Sequence, residues 1–334
     1  MYFIKLTRPS VFQGNMKKKR YFEGWYFKQV SADGNHILSV IPGISLSAHN
    51  HSFIQVIDGI SGLTEYISFP VDAFQASDKT LAIRIGDNQF TDKGIDLNLK
   101  GERFRLIGSV SFNNSITWKG NLIAPGIMGW YSWMPFMECY HDVVSLDHDL
   151  EGSLQVNEKT MKFTGGRGYI EKDWGSSFPE CWIWAQANCF EFPGTSFMVS
   201  VAKIPWMGRF FMGHLCFLLH NGKLYKFMTW NGTRVNELSH DEHQVIVSIS
   251  GQKHTLEINI ERTIAGEIKA PVSGSMERYI KESVNAIVSL QLTSDKGERI
   301  FTGSSPHAGL EVVGDIFRYF KTSPLPASAH HHPL

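Results

Sequence analysis

The sequence has little of what would place it quickly. Its 334 residues hold four cysteines, Cys139, Cys181, Cys189 and Cys216, with no C-x-x-C pair among them. Thiols so few and so spread make no disulfide framework and read as reduced core residues. Neither sign of charge is in excess, since Lys+Arg and Asp+Glu are both 32. A balanced chain carries no nucleic-acid footprint. The one basic run, Lys17 to Arg20, reads as a solvated arm before the first strand, with contact to anionic lipid headgroups as the weaker reading. No apolar run reaches the length of a membrane helix: the nearest, IPWMGRFFMGHLCFLLH (204–220), is broken by Pro205, Arg209 and two glycines. The N-terminus has no apolar h-region, which makes the cytoplasm the expected compartment. A nucleophile elbow, a P-loop and a dinucleotide fingerprint are all missing. Helical periodicity is nearly absent too, and only MERYIKESVNA (276–286) could hold a short helix.

What is present is aromatic and alternating. Aromatic residues make up 13%, with 23 Phe and 9 Trp, which favours strands and apolar cavities over helical bundles. Runs such as HSFIQVID, GIDLNLKG, QVIVSIS and TLEINIER alternate between apolar and polar. Between such runs stand Asp33-Gly34, Asp58-Gly59, Asn221-Gly222 and Asn231-Gly232. Alternation punctuated by tight Asn-Gly and Asp-Gly turns marks antiparallel hairpins, so the expected class is all-β.

Several segments recur. FEGWYFKQ (22–29) matches PECWIWAQ (179–186), and HSFIQVIDG (51–59) matches HLCFLLHNG (214–222). Ala124-Pro125 pairs with Ala270-Pro271, and GSLQVNEKTMKFTGG (152–166) with VSLQLTSDKGERIFTGS (288–304). YIEKDWG (169–175) has a faint echo in GLEVVGD (309–315). The matches keep their order, and each half has the length of one barrel of roughly eight to ten strands. The expected architecture is two tandem lipocalin-like antiparallel β-barrels. The expected divisions are an arm at 1–19, a first barrel at 20–166, a second at 167–322 and a flexible tail at 323–334.

In a strand, every second residue shares a face. The first match therefore aligns Glu23, Trp25, Phe27 and Gln29 in one half with Glu180, Trp182, Trp184 and Gln186 in the other, continued by Asn188. One reading is core packing with a satisfied amide pair. The other is a pocket wall of aromatic surface with amides that fix a polar head. The segment GIMGWYSWMPFMECYHD (126–142), with Trp130 at its centre, is either a loop folded over a core or a hydrophobic lid that touches a membrane.

With these residues in view, the chain resembles the tocopherol cyclase family. The resemblance rests on FEGWYF (22–27), EKDWGSSFPECWIWAQANCFE (171–191), NGKLYKFMTWNG (221–232), HTLEINIERT and KAP within 254–271, and LEVVG (310–314). It implies ring closure on a prenylated hydroquinone to give a chromanol, with no metal and no redox cofactor. The ligand would be a lipophilic molecule reached from a peripheral position on a membrane. Plant members are longer and carry transit segments, and their block has Asn where Asp173 stands and glycines at Ser176 and Ser177.

Such a reaction needs a carboxyl that stays protonated in an apolar setting, aromatic faces that tolerate a cation, and exclusion of water. The acid candidates are Asp173, Glu23, Glu171, Glu180 and Glu138, with Asp173 and Glu23 in front because each lies near a Trp motif. Glu171 reads first as a salt-bridge partner, with the adjacent Lys172 as a cation for either neighbouring carboxyl. Tyr26, Tyr140 and His141 could hold the phenol or relay its proton, and Trp174 joins the aromatic wall. His141, Asp142, Asp147 and His148 match no standard metal spacing. Two rivals remain open: a carrier of isoprenoid or other lipids that needs no acid, and a hydratase that admits water.

Overall fold

The computed structural model describes residues 5–320, so the tail expected at 323–334 lies outside the described residues. The alternating runs form twenty-two strands among the described residues, in two antiparallel sheets of 12 and 10 strands. The first sheet starts with Tyr21–Val30 and ends with Arg167–Gly175; the second starts with Trp182–Ala187 and ends with Arg299–Val313. In both, the first strand pairs with the last, placing Tyr26 opposite Glu171 and Trp184 opposite Glu311.

The two outer strands of each sheet are neighbours in the chain. Thr64–Pro70 and Phe74–Ala76 are joined by the single turn Val71–Ala73, and Lys223–Met228 and Arg234–His240 by Thr229–Asn231. A sheet whose edges are tied by so short a turn must curl, and each forms a lipocalin-like barrel. The buried apolar residues fall into three clusters. One fills the first barrel around Trp25, Phe27 and Phe90. One fills the second around Ile183, Phe197 and Leu256. The third lies between the barrels around Tyr26, Trp182 and Trp184.

The repeat has a different register from the one the letters suggest. Pairing makes Tyr26 and Trp184 equivalent, each opposite a glutamate on the last strand of its sheet. The alignment of FEGWYFKQ with PECWIWAQ is therefore one residue out, and a slip of one moves every side chain to the other face. Glu23, Trp25, Phe27 and Gln29 point into the first barrel, whereas Trp182, Trp184 and Gln186 point out of the second toward its neighbour. These two sets do not form matching walls.

The segment 276–286 is not helical. It lies in the strand Ser275–Ser294, where buried Met276, Ile280 and Glu282 alternate with exposed Glu277, Tyr279 and Lys281. That is a period of two, and pairing with Gly266–Val272 and, from Glu282 on, with Arg299–Val313 fixes it.

The basic run is solvated as expected, and the stretch before it is packed. Lys17, Lys19 and Arg20 are exposed, but Val11 and Gln13 are buried against the first barrel. Lys172 Nζ donates to the carbonyls of Pro9 and Val11 and pairs with Glu23 at 2.6 Å. Glu23 also accepts from the backbone N–H of Gln13 at 2.8 Å and of Gly14 at 2.9 Å. Trp25 Nε1 donates to the Ser10 carbonyl at 3.1 Å. The arm thus closes one end of the barrel through a fully buried ion pair. Removing one partner of such a pair strands the other charge. Lys172→Met is expected to lower the unfolding free energy by about 3–5 kcal/mol in urea titrations; a loss under about 1 kcal/mol would contradict this role.

Candidate active site between the barrels

Alternation along Arg167–Gly175 sends Ile170 and Trp174 into the first barrel, and Tyr169, Glu171 and Asp173 toward the second. The adjacent strand Cys139–Val156 sets His141 opposite Asp173. From the other side come Trp182 and Trp184 on the first strand of the second barrel and Glu311 on its last. These groups meet in a cleft with a cavity volume of about 130 Å³, walled by Met128, Met137, Ile204 and Trp230.

The polar groups are tied by indole and phenol donors. Glu171 Oε2 accepts from Tyr169 Oη–H at 2.8 Å and from Trp184 Nε1–H at 3.1 Å. Glu311 Oε2 accepts from Trp182 Nε1–H at 2.6 Å. His141 Nδ1 lies 3.0 Å from Asp173 Oδ1. Its Nε2 is 3.8 Å from Glu171 Oε2 and makes no hydrogen bond among the described residues.

Burial dominates the electrostatics. It raises the Glu171 carboxyl to about 7, against an opposing pull from His141. It raises Glu311 to about 8, with the Trp182 bond opposing and Glu171 adding. Glu282, opposite Glu311 on the neighbouring strand, is driven well above the usual range by burial and by Glu311. Burial lowers His141, but Asp173 and Glu171 outweigh it and hold the imidazole at about 9. Near neutral pH the cleft therefore holds Glu311 mainly in its neutral form and Glu171 divided between its two forms, beside an imidazolium.

Asp173, Glu171, His141, Trp182 and Trp184 are brought together here, and Tyr26 packs edge-on against Trp184 at 5.4 Å. Glu171 does not pair with Lys172, which faces the other way. The remaining sequence candidates lie elsewhere. Glu23 serves the arm, Trp25 and Phe27 are core of the first barrel, and Gln29 is buried inside it. Trp174 packs in the same core with Tyr140 stacked on it, and Tyr140 donates to the Met134 carbonyl. Glu180 is a surface partner of Lys203 and Arg318, and Glu138 is exposed. Gln186 accepts from Lys28, and Asn188 donates to Asp147 and Gly168, so both tie the barrels together. Trp130 stacks on Tyr131 at the rim, in the segment whose Met128 and Met137 cover the cleft.

Two carboxyls escaped the sequence reading, Glu282 and Glu311. The faint echo of YIEKDWG in GLEVVGD held the signal for the second, because it superposes Glu171 on Glu311. His141, Glu171 and Asp173 offer ligand atoms within 4.8 Å of one another, the one grouping of this kind among the described residues. Asp142, Asp147 and His148 turn away, to Ile127, Arg167 and Ser145.

The raised carboxyls predict a pH dependence. Each binds its proton more tightly in the fold than in the unfolded chain, so stability falls as pH rises from about 4.5 through about 8. Glu311→Gln is expected to remove part of that fall, on the order of 1–3 kcal/mol at pH 9. Melting curves of both proteins from pH 5 to 9 read this directly; parallel curves would rule it out.

A family model described as tocopherol cyclase-like matches residues 109–314, a span that holds every carboxyl of the cleft. The chloroplastic tocopherol cyclase of Zea mays is 27% identical over 201 residues, covering 56% of this chain and 41% of that protein. A chloroplastic relative from Oryza sativa subsp. japonica is 26% identical over 201 residues, covering 56% of this chain and 42% of its own. The match thus spans less than half the length of these curated relatives. Among solved structures, a protein assigned as AttH from Nitrosomonas europaea has a TM-score of 0.53 at 13% identity, with 87% of this chain and 92% of that one covered. CghA with Sch210972 gives 0.53 at 10%, with 88% and 89% covered. At such identities the likeness is one of fold. With the family model covering well over half of its length, the chain belongs to the tocopherol cyclase-like family.

Proposed function

We propose that the chain is an enzyme that closes a chromanol-type ring on a prenylated hydroquinone in the cleft between its barrels. The observation that carries this reading is the pairing of Glu171 and Glu311 across an apolar cleft, each bonded to an indole N–H. A carboxyl that remains neutral at physiological pH is the donor an unactivated alkene requires. The faces of Trp182, Trp184 and Trp230 supply cation–π stabilisation of about 0.5–2 kcal/mol each.

The proton balance closes within the site. Glu311 gives its proton to the less substituted alkene carbon, leaving a tertiary cation on the other. The phenol oxygen attacks that cation and forms the C–O bond. Its proton passes to Glu171, whose carboxylate form the imidazolium of His141 favours. Return of this proton to Glu311 restores the starting state, and the net change is an isomerisation. Asp173 holds the imidazole in place through Nδ1. The cleft's apolar lining keeps out the water that would otherwise capture the cation.

The mouth suits a substrate drawn from a membrane surface. Phe136 is 95% exposed, Met207 91%, Leu122 79% and Ile123 76%. They lie on segments that meet at the rim, where Trp133 bonds the Ile123 carbonyl and Tyr131 stacks on Phe211. Apolar side chains projecting from several loops beside a lipophilic cleft are the pattern of shallow interfacial contact.

The test is anaerobic incubation with a prenylated hydroquinone in heavy water. The expected product is a chromanol with one deuterium on the ring methylene that was the less substituted alkene carbon. Glu311→Gln is expected to cut turnover about 100-fold or more while binding stays within about threefold. Wild-type turnover is expected to fall above about pH 8 as Glu311 ionises. Tight binding with no product in any condition would instead assign a carrier.

A further inference from the structure

Beyond the main cleft lies a second, smaller lobe of about 70 Å³. It shares Glu171, Asp173, Phe178 and Glu311 with the cleft, so the two meet at the reacting carboxyls. Its walls are largely apolar, with Phe22, Phe53, Ile41 and Met276 among them. One side is sealed where Gln55 bonds both backbone groups of Lys269, at 2.8 and 3.0 Å. A polar corner remains. Glu282 is 1% exposed, its Oε1 has no hydrogen-bond partner, and the Tyr26 side chain lines the same lobe.

A buried polar atom without a partner is costly, and a site that carries one discriminates against ligands that leave it unpaired. An isoprenoid chain in this lobe would leave Glu282 unmatched. An aromatic ring with a hydroxyl at its far end would not. The volume, room for about two waters, is that of the hydroxyl-bearing edge of a ring whose body lies at the junction with the main cleft. The geometry points to the small lobe as the head-group subsite: it takes the far edge of the dihydroxy ring, with the hydroxyl remote from the prenyl chain on Glu282, while the chain runs into the main cleft. This placement rests on the reading of the cleft as a prenylquinol site. It sets the ring's other hydroxyl and the first alkene at the junction, beside Glu171 and Glu311. Glu282, which takes no part in the proton transfers above, becomes the group that distinguishes a hydroquinone from a monophenol.

The test needs no turnover. The probes are a hydroquinone with a saturated isoprenoid chain, the monophenol that lacks the remote hydroxyl, and an isoprenoid alcohol with no ring. Binding is read by tryptophan fluorescence in detergent. Wild type is expected to prefer the diol over the monophenol about tenfold or more. Glu282→Leu should bring the two within twofold. Gly24 lines the lobe, and a Cβ added there meets nothing nearer than the Pro42 carbonyl at 3.8 Å. Gly24→Leu should therefore fill the lobe, weaken the ring-bearing ligands at least tenfold and leave the ringless alcohol within twofold. A diol preference that survives Glu282→Leu would overturn the assignment, as would equal weakening of all three ligands by Gly24→Leu. Failure of wild type to bind the diol at all would overturn it together with the reading it rests on. Selective binding without ring closure would leave the subsite standing and remove only the chemistry.

Discussion

The cleft is governed by the cost of taking carboxyl groups out of water. Glu171 and Glu282 are buried and Glu311 is half-buried, and none of them forms an ion pair with a lysine or arginine among the described residues. A charge so placed would cost several kcal/mol, and burial shifts all three toward the protonated form. That choice fixes much else. A neutral carboxyl in an apolar wall still needs hydrogen bonds, and the indoles of Trp182 and Trp184 provide them. The same rings form the wall, so each tryptophan serves as donor to one group and as aromatic surface for the ligand. Substituting phenylalanine for Trp182 would keep the surface and leave Glu311 without its indole donor.

Contrast with Glu23 shows how location decides the role. It too is fully buried beside a tryptophan strand. However, it faces the interior of the first barrel, where it pairs with Lys172 and accepts from the backbone of the arm. It anchors the arm, and nothing of the cleft reaches it. Two glutamates on paired strands of one sheet thus have opposite fates, set by the face each occupies.

The all-β class and the twofold division were readable because alternation and turn chemistry are local properties of the chain. So was the shared face of Glu171 and Asp173, which follows from their spacing in a strand. The site itself was only half readable. FEGWYFKQ and PECWIWAQ align best by letters at an offset that places Trp25 on Trp182, yet pairing within the sheets places Tyr26 on Trp184. Large aromatics suit either side of a barrel wall, so composition does not reveal which side faces the neighbour. Glu282 was hidden for a related reason. In YIKESVN a glutamate between Lys281 and Ser283 looks like a solvent face, and only packing of the other barrel against it makes it an interior group.

The equivalence of Glu171 and Glu311 has one more consequence. Two copies of a single barrel, joined face to face, would meet about a twofold axis, and every residue near it would occur twice in identical form. A contact of that kind cannot give one copy an imidazole and the other none. Joining the halves in one chain lifts the restriction. His141 and Asp173 stand on the first barrel, while the position equivalent to Asp173 on the second carries Val313, and Glu282 stands where the first has Val143. Covalent fusion is thus what allows a symmetric scaffold to hold an asymmetric cleft, with an imidazole on one side and none on the other.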